Sequence, residues 1–363
     1  MSERPRRIDQ IIPSIVEYDA VSNHTFGVQR VLREMGFDST IYAQVLGPGV
    51  EGRVQPLEQF IDEGDSGRWV MYQCSIGSPA AEIFAAYSQH KMLDYHNITP
   101  AELVERWLPP LGEETRLGRR QLAELAPIVH FAIADSAFNA SELVELGYQH
   151  AEVVSVLIAE GNLIEAPDRE VLARFVEREG TDWLFVGQIA PHKAQHDLIM
   201  AFSRYRALFD PNARLHIVGR EMGNAYRAAL VRLIHHLHLE DCITLAGSVS
   251  SAELAAYYQL ADVFVCLSDH EGFCAPLVEA MSRGLLVVAN AAAAVPGTVL
   301  DGAVLLQDKS PDLVASVVHE LLLDGSLSEE LRRRGRRRAA TLTLAAAEDA
   351  LRGAITRAIA LNG

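Results

Sequence analysis

Apolar and polar positions along this chain follow a repeating order of strand patterns and helix patterns. Residues 8–15 and 39–43 are short apolar runs that predict strands, and a helix is predicted over residues 25–35. An alternation of strands and helices is typical of a parallel sheet that carries helices on both faces. The pattern therefore predicts an α/β protein with doubly wound sheets.

The alternation continues on both sides of a polar stretch at residues 160–180. This stretch holds Pro167 and many charges, so it is the best boundary between two domains. Asn139 is the predicted N-cap of the helix that follows it, and Ser250 with Glu253 has the spacing of a capping box. Further strands are predicted before the boundary at residues 69–73, 91–95, 130–135 and 153–157, and after it at 183–187, 214–218, 243–247, 263–267, 286–289 and 303–306.

Length and charge narrow the class of protein. The 363 residues suffice for two domains, and a net charge of −16 argues against a nucleic-acid-binding surface. The N-terminus lacks the apolar core of a signal peptide, and no stretch is apolar enough to span a membrane. We therefore expect a cytoplasmic protein whose cysteines, which form no CxxC pair, are reduced and buried: Cys74, Cys242, Cys266 and Cys274.

One local exception to the acidic character is an arginine-rich run at residues 332–338. It follows Glu329 and Glu330 in a helical pattern, so a solvated helix face balanced by nearby acids is favoured over a membrane or RNA patch. A weak contact with anionic lipid stays open, and the sequence does not determine the oligomeric state.

The stretch with the clearest chemistry runs from residue 263 to residue 284. An apolar strand pattern is followed by a turn with a glycine and then by a short helix, with Pro276 suited to the first helical position and Gly284 to the position just after the helix end. The N-terminus of such a helix offers backbone N–H groups to a phosphate. Glu271 and Glu279 lie beside it, and carboxylates are good acceptors for vicinal hydroxyls. Together these features suggest a sugar nucleotide as the ligand.

This stretch, EGFCAPLVEAM, resembles the signature of the retaining glycosyltransferases of family 4. The resemblance implies the GT-B fold, with two Rossmann-like domains that face each other across a cleft. It implies an acceptor-binding domain at residues 1–163, a nucleotide-sugar-binding domain at 164–343, and a C-terminal helix at 344–363 that packs back on the first domain. It also implies transfer of a sugar from a nucleoside diphosphate sugar to an acceptor hydroxyl, with retention at the anomeric carbon.

In the second domain the resemblance assigns roles to the two carboxylates and a lysine. Glu279 is expected to hold the ribose hydroxyls, Glu271 the donor sugar, and Lys193 the leaving diphosphate. The family has arginine where this chain has Gln188, so Arg220 is the candidate for the missing charge. The predicted donor-binding set is Gly187, Gln188, Lys193, Arg220, Ser248, Val249, Glu271, Gly272, Phe273, Cys274, Ala275, Leu277 and Glu279.

In the first domain the resemblance is weaker. His96, at the end of a predicted strand, matches a histidine that faces the donor sugar in similar enzymes, which places it with Lys193 and Glu271 in the predicted catalytic set. Asn23 and His24 are expected on the first strand-to-helix loop and, with Asn97, to contact the acceptor. Similar enzymes carry glycines on that loop, and this chain has no glycine pair there.

No metal or other cofactor is expected, because no Asp-x-Asp motif occurs and the histidine clusters lack a cysteine or glutamate partner set. Two alternatives stay open. One is an epimerase or a phosphorolytic enzyme of the same fold, which would keep the phosphate site. The other is a non-catalytic protein that binds sugar nucleotides, which Gln188 in place of arginine would favour.

Overall fold

The computed structural model describes residues 7–16, 19–62, 68–158, 165–174 and 179–362, so part of the predicted boundary stretch lies outside the described residues. By its internal contacts the chain divides into two compact units. Unit 1 comprises residues 1–105, 109–158 and 343–363, and unit 2 comprises residues 106–108 and 159–342. The division by contacts thus falls at residue 158, five residues before the predicted limit at 163, and it assigns residues 106–108 to unit 2.

Unit 1 is built on a sheet of seven described strands, all paired in parallel, in the order β3-β2-β1-β4-β5-β6-β7. The order reverses between β1 and β4, so the carboxyl ends of these strands flank the topological switch point where open α/β sheets bind ligands. The strands are β1 (Arg7–Ile15), β2 (Ile41–Leu46), β3 (Gln55–Pro56), β4 (Arg68–Cys74), β5 (His90–Tyr95), β6 (Phe131–Ala134) and β7 (Ala151–Val153). Helices α1 (Ala20–Glu34), α2 (Ala80–Ala86), α3 (Pro109–Leu125) and α4 (Ala137–Glu145) connect them.

The first helix begins earlier than the sequence pattern predicts. Its N-cap is Asp19, whose carboxylate accepts a hydrogen bond from the backbone N–H of Ser22 at 3.1 Å. Asn23 and His24 therefore lie inside α1 and not on the loop before it, which corrects the prediction. The cap decides the helix start because it satisfies a backbone donor that would otherwise lack a partner.

A second cap also differs from the prediction. Helix α4 is capped by Ser136, whose hydroxyl accepts from the backbone N–H of Asn139 at 3.1 Å. Asn139 itself lies inside the helix, and its side-chain amide donates to the backbone oxygen of Tyr95. Both residue types are good N-caps, so the choice between them depended on tertiary contacts that the local sequence does not show.

Unit 2 has a six-stranded parallel sheet in the order β10-β9-β8-β11-β12-β13, which is the Rossmann order. The predicted capping box of Ser250 and Glu253 is confirmed at the start of the helix Ser251–Leu260. The strands are β8 (Asp182–Val186), β9 (Arg214–Val218), β10 (Ile243–Gly247), β11 (Val263–Cys266), β12 (Leu286–Asn290) and β13 (Val304–Leu306). The helices are α5 (Arg169–Ala173), α6 (Gln195–Leu208), α7 (Asn224–His236), α8 (Ser251–Leu260), α9 (Ala275–Ser282), α10 (Val295–Val299), α11 (Pro311–Leu323) and α12 (Gly325–Ala339).

Two glycines let the ends of β8 and β9 approach each other closely. Gly187 and Gly219 have φ angles of +155° and +148°, and a Cβ atom built on Gly219 would lie 1.9 Å from the backbone oxygen of Gly187. No side chain fits in that space, so glycine is required at Gly219. The close approach fixes the loop that leaves β8 against the neighbouring strand.

The C-terminal helix α13 (Leu344–Asn362) belongs to unit 1 by its contacts. Leu351 and Ile355 are buried in the same apolar cluster as Val28 and Leu32 of α1. The end of the chain thereby completes the core on one face of the first sheet. Within the described ranges, every helix is too short or too polar to cross a lipid bilayer.

Candidate functional site

The loops that follow β8 and β11 meet at the switch point of the second sheet. Lys193, in a short 3₁₀ turn after β8, places its Nζ 2.7 Å from Oε2 of Glu271, which follows β11. Their side chains are 17% and 7% exposed. The loops are also joined through the backbone, since the N–H of Asp269 donates to the oxygen of His192 at 2.8 Å. The structure thus brings together two residues of the predicted catalytic set.

The electrostatics of this pair favour its charged form. Burial alone would lower the pKa of Lys193, but the adjacent Glu271 carboxylate outweighs that effect and raises the pKa above its ordinary value. Lys193 is therefore a cation held by one carboxylate. An incoming phosphate oxygen would compete with Glu271 for the ammonium group, which frees the carboxylate to accept from a sugar hydroxyl.

Helix α9 begins beside this ion pair, as the sequence predicts. Its N-cap residue Cys274 is in the left-handed region at φ +69°, Pro276 lies in the first turn, and Gly284 follows the helix at φ +76°. The backbone oxygen of Phe273 accepts from Thr298 Oγ1 at 2.6 Å, which fixes the turn before the helix. The first N–H groups of an α-helix have no partner inside it, so this end of α9 can bind an anion.

Glu279 lies inside α9 and is 6% exposed. Its Oε2 accepts a hydrogen bond from the hydroxyl of Tyr258 in α8 at 2.7 Å. Leu277, two residues earlier and also in the predicted donor set, is fully buried. Its place in the core indicates that it supports the helix.

The remaining predicted donor residues lie at the carboxyl ends of β8, β9 and β10. Gln188 is half-buried, and its backbone oxygen accepts from Gln195 Nε2 at 2.8 Å. Arg220 is exposed, and within the part of the chain that the structure describes its guanidinium makes no ion pair. Ser248 is exposed and Val249 half-buried after β10. All four residues therefore line the edge of the sheet that carries Lys193 and Glu271.

Sequence reasoning missed one cation at this edge. Lys309, after β13, pairs with Asp269 and with Asp197 at 2.7 Å, and it donates to the backbone oxygen of Leu267 at 3.3 Å. Burial would lower the pKa of Lys309, but the two carboxylates raise it. Lys309 thus ties the loop after β11 to the start of α6. No local motif marks it, because its partners lie far away in the sequence.

Unit 1 holds a second buried polar cluster, at its own switch point. His24 Nε2 lies 2.9 Å from Asp94 Oδ2, and His24 Nδ1 accepts from the backbone N–H of Leu157 at 3.1 Å. Because that N–H can only donate, Nδ1 carries no proton and Nε2 donates to Asp94. His24 is therefore neutral, fully buried and bonded on both sides, which argues against its predicted contact with the acceptor.

His96 is held in the opposite state. Its Nδ1 lies 3.0 Å from Asp135 Oδ2, and its Nε2 lies 2.6 Å from Gln73 Oε1. The Gln73 amide is oriented by Gln10, whose own Nε2 donates to the backbone oxygen of Thr25. The Thr25 oxygen can only accept, so Gln10 donates to it and turns its own side-chain oxygen toward Gln73 Nε2. The side-chain oxygen of Gln73 therefore faces His96 and accepts from its Nε2. Because Nδ1 faces the Asp135 carboxylate, His96 donates from both ring nitrogens.

His96 is thus an imidazolium cation with a side chain only 2% exposed. Burial would lower its pKa, but the carboxylates of Asp135 and Asp94 raise it to about 9. Both ring nitrogens have protein partners, so a bond to the donor sugar would require Gln73 to move. The predicted sugar-orienting role of His96 stays a prediction that this geometry does not favour.

Of the other two residues predicted to contact the acceptor, Asn97 is buried and Asn23 is exposed. Asn97 has φ +73° and a buried amide, which donates to Asn139 Oδ1 and Glu142 Oε2, both at 2.9 Å. This burial argues against a contact between Asn97 and an acceptor. Asn23 is exposed on α1 and stays available.

Two sets of side chains in the described part of the chain have the composition of metal ligands: His24, Asp94 and His96, and Cys266, Glu271 and Cys274. In the first set, Nε2 of His24 carries its proton and cannot coordinate. In the second set, the Glu271 carboxylate is paired with the Lys193 ammonium group. All four cysteines are buried and unpaired, as predicted. Both sets are therefore satisfied as hydrogen-bonded networks.

Residues 169–338 match the family model described as glycosyl transferases group 1. The chain carries a glycosyl transferases group 1 domain. This group 1 domain contains the ion pair of Lys193 and Glu271, together with Glu279 and the start of α9.

Two curated relatives resemble this chain in sequence. A GDP-mannose-dependent alpha-(1-6)-phosphatidylinositol monomannoside mannosyltransferase of Mycobacterium tuberculosis is 34% identical over 148 residues, which cover 38% of this chain and 37% of the relative. A D-inositol 3-phosphate glycosyltransferase of Kineococcus radiotolerans is 31% identical over 274 residues, which cover 70% of this chain and 61% of the relative. The chain thus spans about two fifths of the first relative and three fifths of the second.

The fold is also found in solved structures. Anabaena HepE in complex with UDP and glucose superposes with a TM-score of 0.76 at 14% identity, over 97% of this chain and all of that chain. The likeness extends beyond the group 1 domain to both parallel sheets. The protein has the GT-B fold of two Rossmann-like α/β units, as predicted.

Proposed function

We propose that this protein is a glycosyltransferase that moves a sugar from a nucleoside diphosphate sugar to an acceptor hydroxyl, with retention at the anomeric carbon. The observation that carries the proposal is the buried ion pair of Lys193 and Glu271 beside the N-terminus of α9, inside a group 1 domain. Lys193 and the backbone N–H groups at the start of α9 provide positive charge and donors for a diphosphate, and the carboxylates accept from hydroxyl groups.

Each group has a distinct task in this proposal. Glu279 accepts from the ribose hydroxyls, and Glu271 accepts from the donor sugar once a phosphate has displaced it from Lys193. Lys193 and the N–H groups at the start of α9 stabilise the charge that develops on the leaving diphosphate. That diphosphate takes the acceptor proton on the face where it departs, so a separate side-chain base is not needed. Unit 1 supplies the acceptor site, and the reaction uses no metal.

The names of the similar proteins narrow the donor. The mycobacterial relative uses GDP-mannose, and the Anabaena structure contains UDP and glucose. We therefore propose a GDP-sugar or UDP-sugar as the donor and a cytoplasmic site of reaction, where such donors are made. Both curated relatives are transferases, so the alternatives of an epimerase, a phosphorolytic enzyme and a non-catalytic binding protein gain no support.

The proposal is tested with the full chain. Thermal shift and calorimetry with GDP, UDP, GDP-mannose and UDP-glucose should show saturable binding of at least one sugar nucleotide. Donor turnover is then measured with and without a panel of hydroxyl acceptors that includes inositol phosphates. Transfer or donor hydrolysis that is lost in Lys193→Met supports the proposal. Absence of binding to all four compounds, or binding with neither hydrolysis nor transfer, overturns it.

A further inference from the structure

Tyr258 reaches the ribose-binding candidate Glu279 from a different helix. It lies in α8, is 2% exposed, and donates its hydroxyl hydrogen bond to Glu279 Oε2 at 2.7 Å. The backbone oxygen of Pro276 lies 3.5 Å from the same hydroxyl. A hydroxyl has one proton to donate, and the closer, charged acceptor takes it.

The ring of Tyr258 is fixed on two sides. The Tyr258 ring stacks on the ring of Phe264 of β11, with 6.2 Å between ring centroids. The guanidinium carbon of Arg283 lies 5.3 Å from the centroid of the Tyr258 ring. A strand therefore supports one face of the ring, and the residue that follows α9 contacts it as well. A donor on such a ring has little freedom to follow a moving carboxylate, so the ring determines where the carboxylate rests.

The hydroxyl also keeps its proton. Burial, and then the neighbouring Glu279 carboxylate, raises the pKa of Tyr258 well above its ordinary value. At neutral pH Tyr258 therefore keeps its proton and donates it to Glu279 Oε2. The bond is charge-assisted, and such bonds are shorter and stronger than neutral ones.

A glutamate has three rotatable side-chain bonds, so a carboxylate that must accept from two vicinal hydroxyls benefits from a fixed orientation. We propose that Tyr258 is the positioning residue that orients Glu279 toward the ribose of the donor nucleotide. This inference rests on the role given to Glu279 in the proposed function. Tyr258 acts through Glu279 and does not itself touch the nucleotide.

The test compares a nucleotide with its 2′-deoxy analogue: GDP with 2′-deoxy-GDP, or UDP with 2′-deoxy-UDP if the protein prefers uridine. In the unmodified protein, loss of the 2′-hydroxyl should weaken binding about tenfold, since it removes a hydrogen bond to a charged group. In Tyr258→Phe the ribonucleotide itself should bind about fivefold to tenfold more weakly, and the deoxy penalty should shrink to about threefold or less.

The matched control is Tyr257→Phe. Tyr257 is the preceding residue of α8, is also buried, and packs against His216 with 5.5 Å between ring centroids. In the described part of the chain its hydroxyl makes no hydrogen bond. This variant should keep both the affinity and the full deoxy penalty. If it loses them as Tyr258→Phe does, the effect is general to the helix and the inference fails.

The loss of affinity for the 2′-deoxy nucleotide, the deoxy penalty, distinguishes a positioning role of Tyr258 from a purely structural one. If Tyr258→Phe melts at a lower temperature but keeps the full penalty, Tyr258 supports the fold only and the inference is overturned. Should the variant not fold, 4-fluorophenylalanine at position 258 fills the space of the hydroxyl without donating a proton, and the same shrinkage is expected.

Glu279→Gln separates this inference from the proposed function. If Glu279→Gln retains the full affinity and the full deoxy penalty, Glu279 does not bind the ribose and the proposed role itself fails. If Glu279→Gln loses both while Tyr258→Phe retains them, the proposed function stands and only the positioning role of Tyr258 is overturned.

Discussion

Lys193 and Glu271 form an ion pair whose members are 78 residues apart in sequence, so each depends on the other for burial. Lys193→Met should leave the Glu271 carboxylate buried and unpaired, at a cost of about 3 kcal/mol in the free energy of unfolding. It should also lower kcat/KM about 100-fold or more, because a charge that stabilises the leaving group is lost. Denaturant unfolding and steady-state kinetics measure the two effects.

The double variant Lys193→Met with Glu271→Gln is the control for this prediction. It removes both charges, so it should recover most of the lost stability and none of the lost turnover. If turnover returns with stability, the lysine acts only through folding and its role at the diphosphate is wrong.

The family resemblance predicts arginine at the position of Gln188. Gln188 is half-buried after β8, and Arg220 is exposed after the neighbouring strand β9. Gln188→Arg should raise kcat/KM by up to about tenfold, since it adds a cation near the developing charge. The kinetics are compared in the presence and absence of Arg220→Ala. A loss that Arg220→Ala rescues would show that Arg220 already supplies the charge. A loss without rescue would contradict the alignment of this loop with the family pattern.

The raised pKa of His96 should make the stability of the protein depend on pH. The pKa of His96 rises from an ordinary value of 6.5 to about 9 in the folded protein, where Asp135, Asp94, His24 and Asp19 surround it. A raised pKa stabilises the fold fully below pH 6.5, and that contribution, about 3 kcal/mol, is lost as the pH rises through about 9.

The measurement is the free energy of unfolding between pH 6 and pH 10, by urea denaturation. Asp135→Asn should reduce the fall in the free energy of unfolding with rising pH, because it removes the main carboxylate partner of His96. The exposed His150→Gln in the same unit is the control and should leave the decline unchanged. An equal slope in Asp135→Asn and the unmodified protein would show that another group titrates.

At the scale of the elements, the close approach of β8 and β9 gives a sharp test. Gly219→Ala would place a methyl group against the backbone oxygen of Gly187, and overpacking of this kind costs about 3 kcal/mol. It should also weaken nucleotide binding, because the loop that carries Lys193 leaves β8 at this point. Gly297→Ala, which has open space around it, should be nearly neutral in both measurements. Normal stability of Gly219→Ala would contradict the close approach.

Local sequence determined most of the elements and failed at particular places for physical reasons. The central strands follow from apolar runs, and α9 follows from a turn, Pro276 and Gly284 within one stretch. The start of α1 was missed because Asp19, an ordinary N-cap, lies between an apolar run and a weakly patterned helix. The sequence pattern predicts Asn139 as the N-cap of α4, whereas Ser136 caps it; both residue types suit the position, so local sequence does not separate them.

At the scale of the whole molecule, both polar clusters lie at switch points of their sheets. The sequence predicted the members that stand in recognisable motifs, such as Glu271 and Lys193. It could not predict that Asp135 and Gln73 surround His96, or that Lys309 and Tyr258 hold the loop and helix of unit 2. These contacts join residues far apart in the sequence, and only the order of the strands brings them together.

The arginine-rich run shows the same dependence on tertiary contacts. Arg333 and Arg334 pair with Glu330, and Arg337 pairs with Asp301. Arg338 donates to the backbone oxygens of Thr298 and Gly297. Most of this charge is therefore used within the protein, in agreement with the prediction of a helix face balanced by acids.

The loop between β11 and α9 is tied at both ends by hydrogen bonds within unit 2. Asn290 Nδ2 donates to the oxygen of Ser268 at 3.0 Å, Lys309 holds Asp269, the N–H of Ala294 donates to the oxygen of Glu271 at 3.1 Å, and Thr298 holds Phe273. The conformational entropy of the loop is thus lost on folding and not on binding. In the proposed function, a nucleotide at this site would therefore lose little affinity to ordering of the loop backbone.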